Sequence, residues 1–126
     1  MACPLLTPVS MEQPMNADWS KRKQEHLALS AAAADKYDEL YENANFATGS
    51  YMRYEMETIA RFVTMAPSFS LAIDIGCGTG RDSFLLSSHF DQVYAYDFSP
   101  DMIRVAEKSK LQKRAGNVLF GIILGL

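Results

Sequence analysis

The spacing of apolar side chains predicts helices in the first half of the chain. Over residues 18–43 the apolar positions recur every three or four residues, which is the periodicity of an amphipathic helix. We expect this helix to begin at Asp18, because aspartate caps helices well, and to break near Ser30. Residues 1–16 contain three prolines among small and polar residues, so we expect a flexible tail there.

A second amphipathic helix is predicted over 51–65. Four apolar residues from Met52 to Val63 follow a spacing of 4, 3 and 4, which lines one helical face. Asn, Gly and Ser are frequent in the preceding residues, 43–50, and predict a loop that ends at the capping residue Ser50. We therefore expect two helices before the rest of the fold.

The pattern changes to short apolar runs in the second half. Three such runs predict strands, at 70–75, 92–97 and 118–126. We expect the first strand to be buried. A helix of about ten residues through His89 and another from Pro100 to about Leu111 are predicted between the strands. The order β-α-β-α-β predicts the α/β class, with a Rossmann-like parallel sheet.

The most informative stretch is the glycine loop at 76–80, which follows the first predicted strand and opens a helix. Gly76, Gly78 and Gly80 allow a sharp turn and a close approach of the backbone to a ligand. Asp97 ends the second predicted strand, 21 residues after Gly76. An acid at this distance can accept hydrogen bonds from both hydroxyls of a ribose. We expect a nucleotide-like ligand beyond the strand ends.

The carboxylate of Asp74 separates two classes of ribose-bearing ligand. In the dinucleotide fingerprint G-x-G-x-x-G the third glycine would fall at Arg81, so the glycine spacing departs from that pattern. A carboxylate two residues before the first glycine suits a positively charged ligand better than an anionic pyrophosphate. S-adenosylmethionine has an ammonium, a sulfonium and a ribose, and no phosphate. A fragment of a dinucleotide-dependent oxidoreductase stays open as an alternative.

Two segments resemble a known family. The segment Asp74-Ile75-Gly76-Cys77-Gly78-Thr79-Gly80 resembles motif I of the class I S-adenosylmethionine-dependent methyltransferases. The segment Tyr96-Asp97-Phe98-Ser99-Pro100-Asp101-Met102 is similar to the part of that family that follows motif I. The chain is therefore identified by resemblance with the N-terminal, cofactor-binding part of such an enzyme.

The resemblance implies S-adenosylmethionine as the cofactor and a set of residues that bind it. This set comprises Asp74, Gly76, Cys77, Gly78, Gly80, Asp97, Phe98 and Met102. The loop glycines line the methionine part, and Asp74 orients its amino end directly or through water. Asp97 takes the ribose hydroxyls, while Phe98 and Met102 flank the adenine. Tyr37 and Arg53 are candidate lid residues, because many family members carry a lid at this point of the chain.

The family has a seven-stranded sheet, whereas only three strands are predicted here. The acidic residue that usually follows the third strand is missing from 120–126, and no catalytic base can be named. We therefore expect a truncated form, with an inactive product that at most binds the cofactor or a partner as an alternative. The expected division is a tail at 1–16, helices at 17–66 and a partial Rossmann-like domain at 67–126.

Composition narrows the setting further. The net charge of −3 and the pI near 5.3 lack the basic character of a nucleic-acid-binding domain. Two cysteines, Cys3 and Cys77, favour a reducing, cytoplasmic location. No apolar stretch reaches the ~20 residues of a membrane span, and His26 and His89 have no metal-ligand spacing. The methyl acceptor and the oligomeric state stay open.

Overall fold

A computed structural model describes residues 16–43 and 46–123 of the chain. Its helices are α1 (Asn16–Ala33), α2 (Tyr37–Glu42), α3 (Phe46–Val63), α4 (Arg81–Ser87) and α5 (Pro100–Lys113), with a 3₁₀ turn at Ala34–Lys36 between α1 and α2. Its strands are β1 (Leu71–Ile75), β2 (Gln92–Asp97) and β3 (Val118–Ile122).

The three strands form one parallel sheet in the order β1-β2-β3. Each strand therefore pairs with its nearest neighbour in the chain, and a helix makes each crossover. This arrangement confirms the predicted α/β class and the β-α-β-α-β order of a Rossmann-like half-sheet. The strands β1 and β2 and the helices α4 and α5, which place the glycine loop beside Asp97, all lie within the described residues.

The core lies between one face of the sheet and the helices α4 and α5. Val93, Ala95 and Val118 on this face are completely buried. Phe84 from α4 and Ile103 from α5 pack into the same apolar cluster. Because side chains alternate along a strand, the other residues of β1 and β2 point to the opposite face.

That opposite face is apolar and largely uncovered, so the prediction of a fully buried first strand is wrong. Leu71, Ile73 and Ile75 of β1 are between 48% and 67% exposed. A parallel strand is buried on both sides only where other elements cover both faces of its sheet. In the described residues α4 and α5 both lie on the core face, which leaves this side of β1 open.

The first predicted helix differs in its boundaries. It begins at Asn16, so Asp18 is in the first turn and forms an ion pair with Arg22 at 2.7 Å instead of capping the helix. The break occurs at the 3₁₀ turn Ala34–Lys36, a few residues after the predicted position near Ser30. The predicted tail lies outside the described residues, apart from residue 16, which opens α1.

The prediction of a loop through residue 50 is wrong, because α3 begins at Phe46 and includes Gly49. Glycine in a helix costs about 1 kcal/mol relative to alanine, but burial of an amphipathic face outweighs that cost. Met52 and Met56 on α3 are half-buried, as the predicted face requires. The part of the predicted loop at 44–45 lies outside the described residues.

The helices α4 and α5 begin close to their predicted first residues, whereas their last residues differ from the predicted ones. Ser99 caps α5, because its hydroxyl oxygen accepts a hydrogen bond from the Met102 backbone N–H, with Pro100 at the first helical position. α4 ends at Ser87, two residues before His89, and is shorter than predicted. The third strand ends at Ile122, whereas the prediction extended to residue 126.

The division of the chain at residue 66 stays a prediction. The structure shows that the two parts are in contact, because α3 packs against α4 and α1 packs against α5. Within 16–43 and 46–123, no helix is both long enough and apolar enough to cross a membrane.

Candidate functional site

The glycine loop between β1 and α4 has a backbone that other residues rarely adopt. Gly76, Gly78 and Gly80 all have positive φ angles, of +81°, +54° and +88°. The backbone N–H groups of Gly76 and Cys77 donate to the carbonyl oxygen of Tyr96, at 2.7 and 3.0 Å. These bonds fix the loop to the end of β2, so the glycine spacing is a consequence of this local geometry.

Gly80 is also closely packed. A β-carbon at this position would lie 2.7 Å from the ζ carbon of Phe120 and 3.1 Å from the Phe84 ring. Phe84 and Phe120 pack edge to face, with 5.7 Å between their ring centroids. The start of α4 therefore approaches β3 more closely than any residue with a side chain would allow.

Asp97 connects the glycine loop to the end of β2. Its side chain is buried, and its two oxygens each accept one backbone hydrogen bond. Oδ2 accepts from the Gly78 N–H and Oδ1 from the Ser99 N–H, both at 2.9 Å. Each carboxylate oxygen has a further lone pair, so Asp97 keeps acceptor capacity for a ligand hydroxyl. The structure thus brings Asp97 and the loop together as the sequence predicts.

Asp74 is on β1, just before the loop, and it does not line either of the two cavities described below. The Ser83 hydroxyl donates to its Oδ2 at 2.6 Å, which joins β1 to α4. Burial raises the pKa of Asp74, and the negative charges of Asp82 and Asp97 act in the same direction, while the Ser83 hydrogen bond opposes them. This carboxylate therefore positions the loop and the start of α4.

Cys77 is a buried member of the core cluster. Burial, together with the negative charges of Asp74 and Asp97, raises the pKa of the Cys77 thiol to about 12. The thiol is therefore protonated at neutral pH and is a poor nucleophile.

A cavity of about 330 Å³ lies between the glycine loop and the helices α2 and α3, and we call it the loop cavity. Its acidic lining residues are Asp38, Glu55 and Asp82, and Arg81 also lines it. Oδ1 of Asp82 and Nε of Arg81 are buried and have no hydrogen-bond partner within the described part of the chain, although they lie 4.0 Å apart. The loop cavity therefore carries more acidic than basic groups.

The two candidate lid residues have different positions. Tyr37 lines the loop cavity, with its ring 4.6 Å from that of Tyr41. Burial, and then the hydrogen bond with Tyr41, raise the pKa of Tyr37 to about 12. Arg53 is exposed, donates to Ser50 at 3.4 Å and lines a different cavity, so the structure does not bring it to the glycine loop.

A second cavity, of about 360 Å³, lies between α1 and the carboxyl ends of the strands, and we call it the strand-end cavity. Asp97 and Phe98 line it, and the Phe98 ring meets the His26 ring edge to face at 5.2 Å. Gly76 lines both cavities, so both lie beside the first glycine of the loop. Met102 is buried and lines neither cavity.

Sequence reasoning did not assign several residues that the structure places at the site. The Thr79 hydroxyl donates to Oδ1 of Asp38 at 2.6 Å, which attaches α2 to the loop. Two sequence features could have indicated this bond: Thr79 carries a hydroxyl inside the glycine motif, and Asp38 directly follows the candidate lid residue Tyr37. Trp19 and His26 reach the strand-end cavity from α1, and their spacing alone gave no sign of this.

Comparison with known proteins identifies related sequences. A family model described as a methyltransferase domain matches residues 70–122. The probable S-adenosylmethionine-dependent methyltransferase CRG1 of Saccharomyces cerevisiae is 30% identical over 79 residues. That match covers 59% of this chain and 27% of the yeast protein. The chain thus spans about a quarter of that relative's length.

Solved structures with a similar fold agree with this match. A complex described as DhpI-SAM-HEP is 25% identical with a TM-score of 0.58, over 81% of this chain and 42% of that one. The magnesium protoporphyrin IX methyltransferase of Synechocystis PCC 6803, solved with bound SAH, has a TM-score of 0.63 over 84% of this chain and 53% of its own. At 20% identity the latter similarity concerns the fold alone.

Proposed function

Because residues 70–122 belong to the methyltransferase-domain family, of the class I S-adenosylmethionine-dependent type, we propose that this chain binds S-adenosylmethionine at the glycine loop. The proposed reaction is transfer of the cofactor's methyl group to a nucleophile on an acceptor. The carboxylate of Asp97 carries the proposal, since it is bonded to the loop and lines the strand-end cavity. We assign this carboxylate the contact with the ribose hydroxyls.

The two cavities support a ligand with a nucleoside at one end and an amino acid at the other. Both are lined by Gly76, and we propose that one elongated molecule extends past this residue from one cavity to the other. The strand-end cavity is mostly apolar, which suits a heteroaromatic base. The loop cavity has three acidic residues and one basic residue, Arg81, which lies 3.4 Å from Glu55 and 4.0 Å from Asp82, so the remaining negative charge suits a cationic ammonium. An anionic pyrophosphate would meet these acids unfavourably.

The chain's own residues would bind and orient the cofactor. The left-handed loop brings backbone close to the ligand, Asp97 accepts the ribose hydroxyls, and Asp74 holds the start of α4 through Ser83. When bound, S-adenosylmethionine supplies an activated methyl group on its sulfonium. Alignment of the acceptor with that methyl group is the main catalytic requirement, and we assign no general base among the described residues.

We expect Asp97→Asn to weaken binding of S-adenosylhomocysteine at least about 10-fold, because hydrogen bonds to a charged group contribute roughly 1.5–3 kcal/mol. The amide keeps the size of the side chain and one acceptor oxygen. Asp91→Asn is the matched control, since Asp91 is exposed and lies just before β2. Isothermal calorimetry measures both, and circular dichroism checks the fold.

Two outcomes would contradict the proposal. Undiminished affinity of Asp97→Asn would remove the assigned ribose contact. Binding of NAD without binding of S-adenosylhomocysteine would replace the methyltransferase proposal with the dinucleotide alternative.

A further inference from the structure

The strand-end cavity has a second wall that comes from α1. On the sheet side it is formed by the ends of the strands and by Asp97 and Phe98. On the other side it is lined by four residues of α1, namely Trp19, Arg22, Lys23 and His26. Their spacing of 3, 1 and 3 places them on one helical face. α1 therefore presents a continuous face to the site.

Two members of this face are aromatic, Trp19 and His26. The His26 ring lies edge to face against Phe98, at 5.2 Å between centroids. Trp19 lines the same cavity and is 59% exposed, so much of its indole is not packed against protein. Arg22 is engaged with Asp18 at 2.7 Å on α1. Among the described residues, the lining therefore combines aromatic rings with one acidic side chain, Asp97, and two basic ones, Arg22 and Lys23.

We propose that α1 supplies the second wall of the adenosine site, with Trp19 packing against the purine and the contacting rings of His26 and Phe98 bounding it together on another side. The inference rests on the proposed function and assigns the α1 residues that select the base. If Asp97 holds the ribose, the base attached to it must lie in the apolar remainder of the cavity. Aromatic side chains pack favourably on the face or edge of a purine.

Trp19 is the only tryptophan of the chain, so its fluorescence reports on this wall alone. Wild-type protein is titrated with S-adenosylhomocysteine, and fluorescence and calorimetry are followed in parallel. We expect a saturable change in Trp19 fluorescence with the same dissociation constant that calorimetry gives. Adenosine alone should produce a change of the same sign, since the wall contacts the nucleoside.

Substitutions then separate a contact from a structural effect. We expect Trp19→Ala to weaken binding roughly 5- to 100-fold, as loss of one aromatic–base contact does, while Trp19→Phe retains most of the affinity. His26→Ala should also weaken binding, and it keeps the fluorescent reporter. Leu29→Ala is the control, because Leu29 is exposed on α1 and does not line the cavity.

The failures are distinguishable. Calorimetric binding with unchanged Trp19 fluorescence, or with wild-type affinity in both Trp19→Ala and His26→Ala, overturns the α1 wall and leaves the proposed function standing. Absence of S-adenosylhomocysteine binding by the wild-type protein overturns the proposed function and the wall together. Equal losses in Leu29→Ala and Trp19→Ala would show a general effect on α1 and overturn the specific contact.

Discussion

At the scale of single residues, the folded state opposes ionisation of Asp74. Its carboxylate is partly buried between β1 and α4, and burial raises its pKa above the ordinary value of 3.8. An acid whose pKa is raised on folding stabilises the protein when it is protonated. Its contribution is complete below the unfolded pKa and is lost as the pH rises through the folded pKa.

We expect Asp74→Asn to gain stability relative to wild type as the pH rises above about 3.8, until the difference levels off beyond the folded pKa of Asp74. Asparagine keeps an acceptor for Ser83 and removes the charge. Urea denaturation at a series of pH values measures the difference in the free energy of unfolding. In Ser83→Ala the pKa of Asp74 should rise further, because the hydrogen bond that lowers it is lost. The pH-dependent loss of stability should then extend to higher pH. A difference curve that falls with pH would contradict this assignment.

The residue types at the glycine loop were predictable because each is determined by the local backbone conformation or by the position of a strand end. Positive φ angles require glycine at Gly76, Gly78 and Gly80, and a short strand must end at Asp97 for the loop to reach it. The position of Trp19 was not predictable. It depends on how α1 crosses the end of the sheet, and tertiary packing, not local sequence, decides that crossing.

At the scale of elements, the hydrogen bond from Thr79 to Asp38 attaches α2 to the glycine loop. Thr79 is buried, so its hydroxyl would lose its partner inside the protein if Asp38 were removed. A double-mutant cycle with Asp38→Ala and Thr79→Val should give a coupling free energy of about 1–2 kcal/mol. Chemical denaturation of the four proteins measures it.

The pair Asp35–Arg104 provides the comparison. It also joins the turn between α1 and α2 to α5, through two contacts of 2.9 and 3.1 Å, but both side chains are exposed to water. The guanidinium lowers the pKa of Asp35, yet solvent screens the interaction. We expect a smaller coupling in this cycle. A coupling at Asp38–Thr79 no larger than that at Asp35–Arg104 would show that α2 is not held by this bond.

Element types were easier to predict than element ends. β2 matches its predicted range of 92–97, since turn-forming residues flank a short apolar run. α3 was predicted to start too late because Gly49 and Ser50 favour loops locally, whereas the helix buries an apolar face that extends past them. Local propensity is worth about 1 kcal/mol at such positions, and packing against α4 exceeds it.

At the scale of the whole molecule, the uncovered face of the sheet is the largest departure from a closed core. Four apolar side chains on this face are at least 48% exposed, namely Leu71, Ile73 and Ile75 on β1 and Leu119 on β3. Ile75 also borders the strand-end cavity. Tyr94 of β2 lies between Ile73 and Leu119 in the register, so this face is continuous across the three strands. Contiguous apolar surface of this kind binds other apolar molecules.

We expect Leu71→Thr with Ile73→Thr to lower the fluorescence of a bound apolar dye such as ANS by about a third or more, because the favourable free energy scales with apolar area. Threonine keeps the β-branched shape that strands favour. Leu111→Gln is the control, since Leu111 is a single exposed leucine on α5. An equal loss of dye fluorescence in the control would place the dye elsewhere.

The order β1-β2-β3 also has a consequence for how the chain folds as it is synthesised. Each strand pairs with the strand made just before it: Leu71 with Gln92, and Val93 with Val118. Closing such short segments costs little chain entropy, so the sheet can assemble strand by strand as the chain leaves the ribosome. Asp35 and Arg104, by contrast, are 69 residues apart. α1 therefore cannot complete its packing until α5 has been made, so the wall bearing Trp19 should form after β1 and β2 have paired.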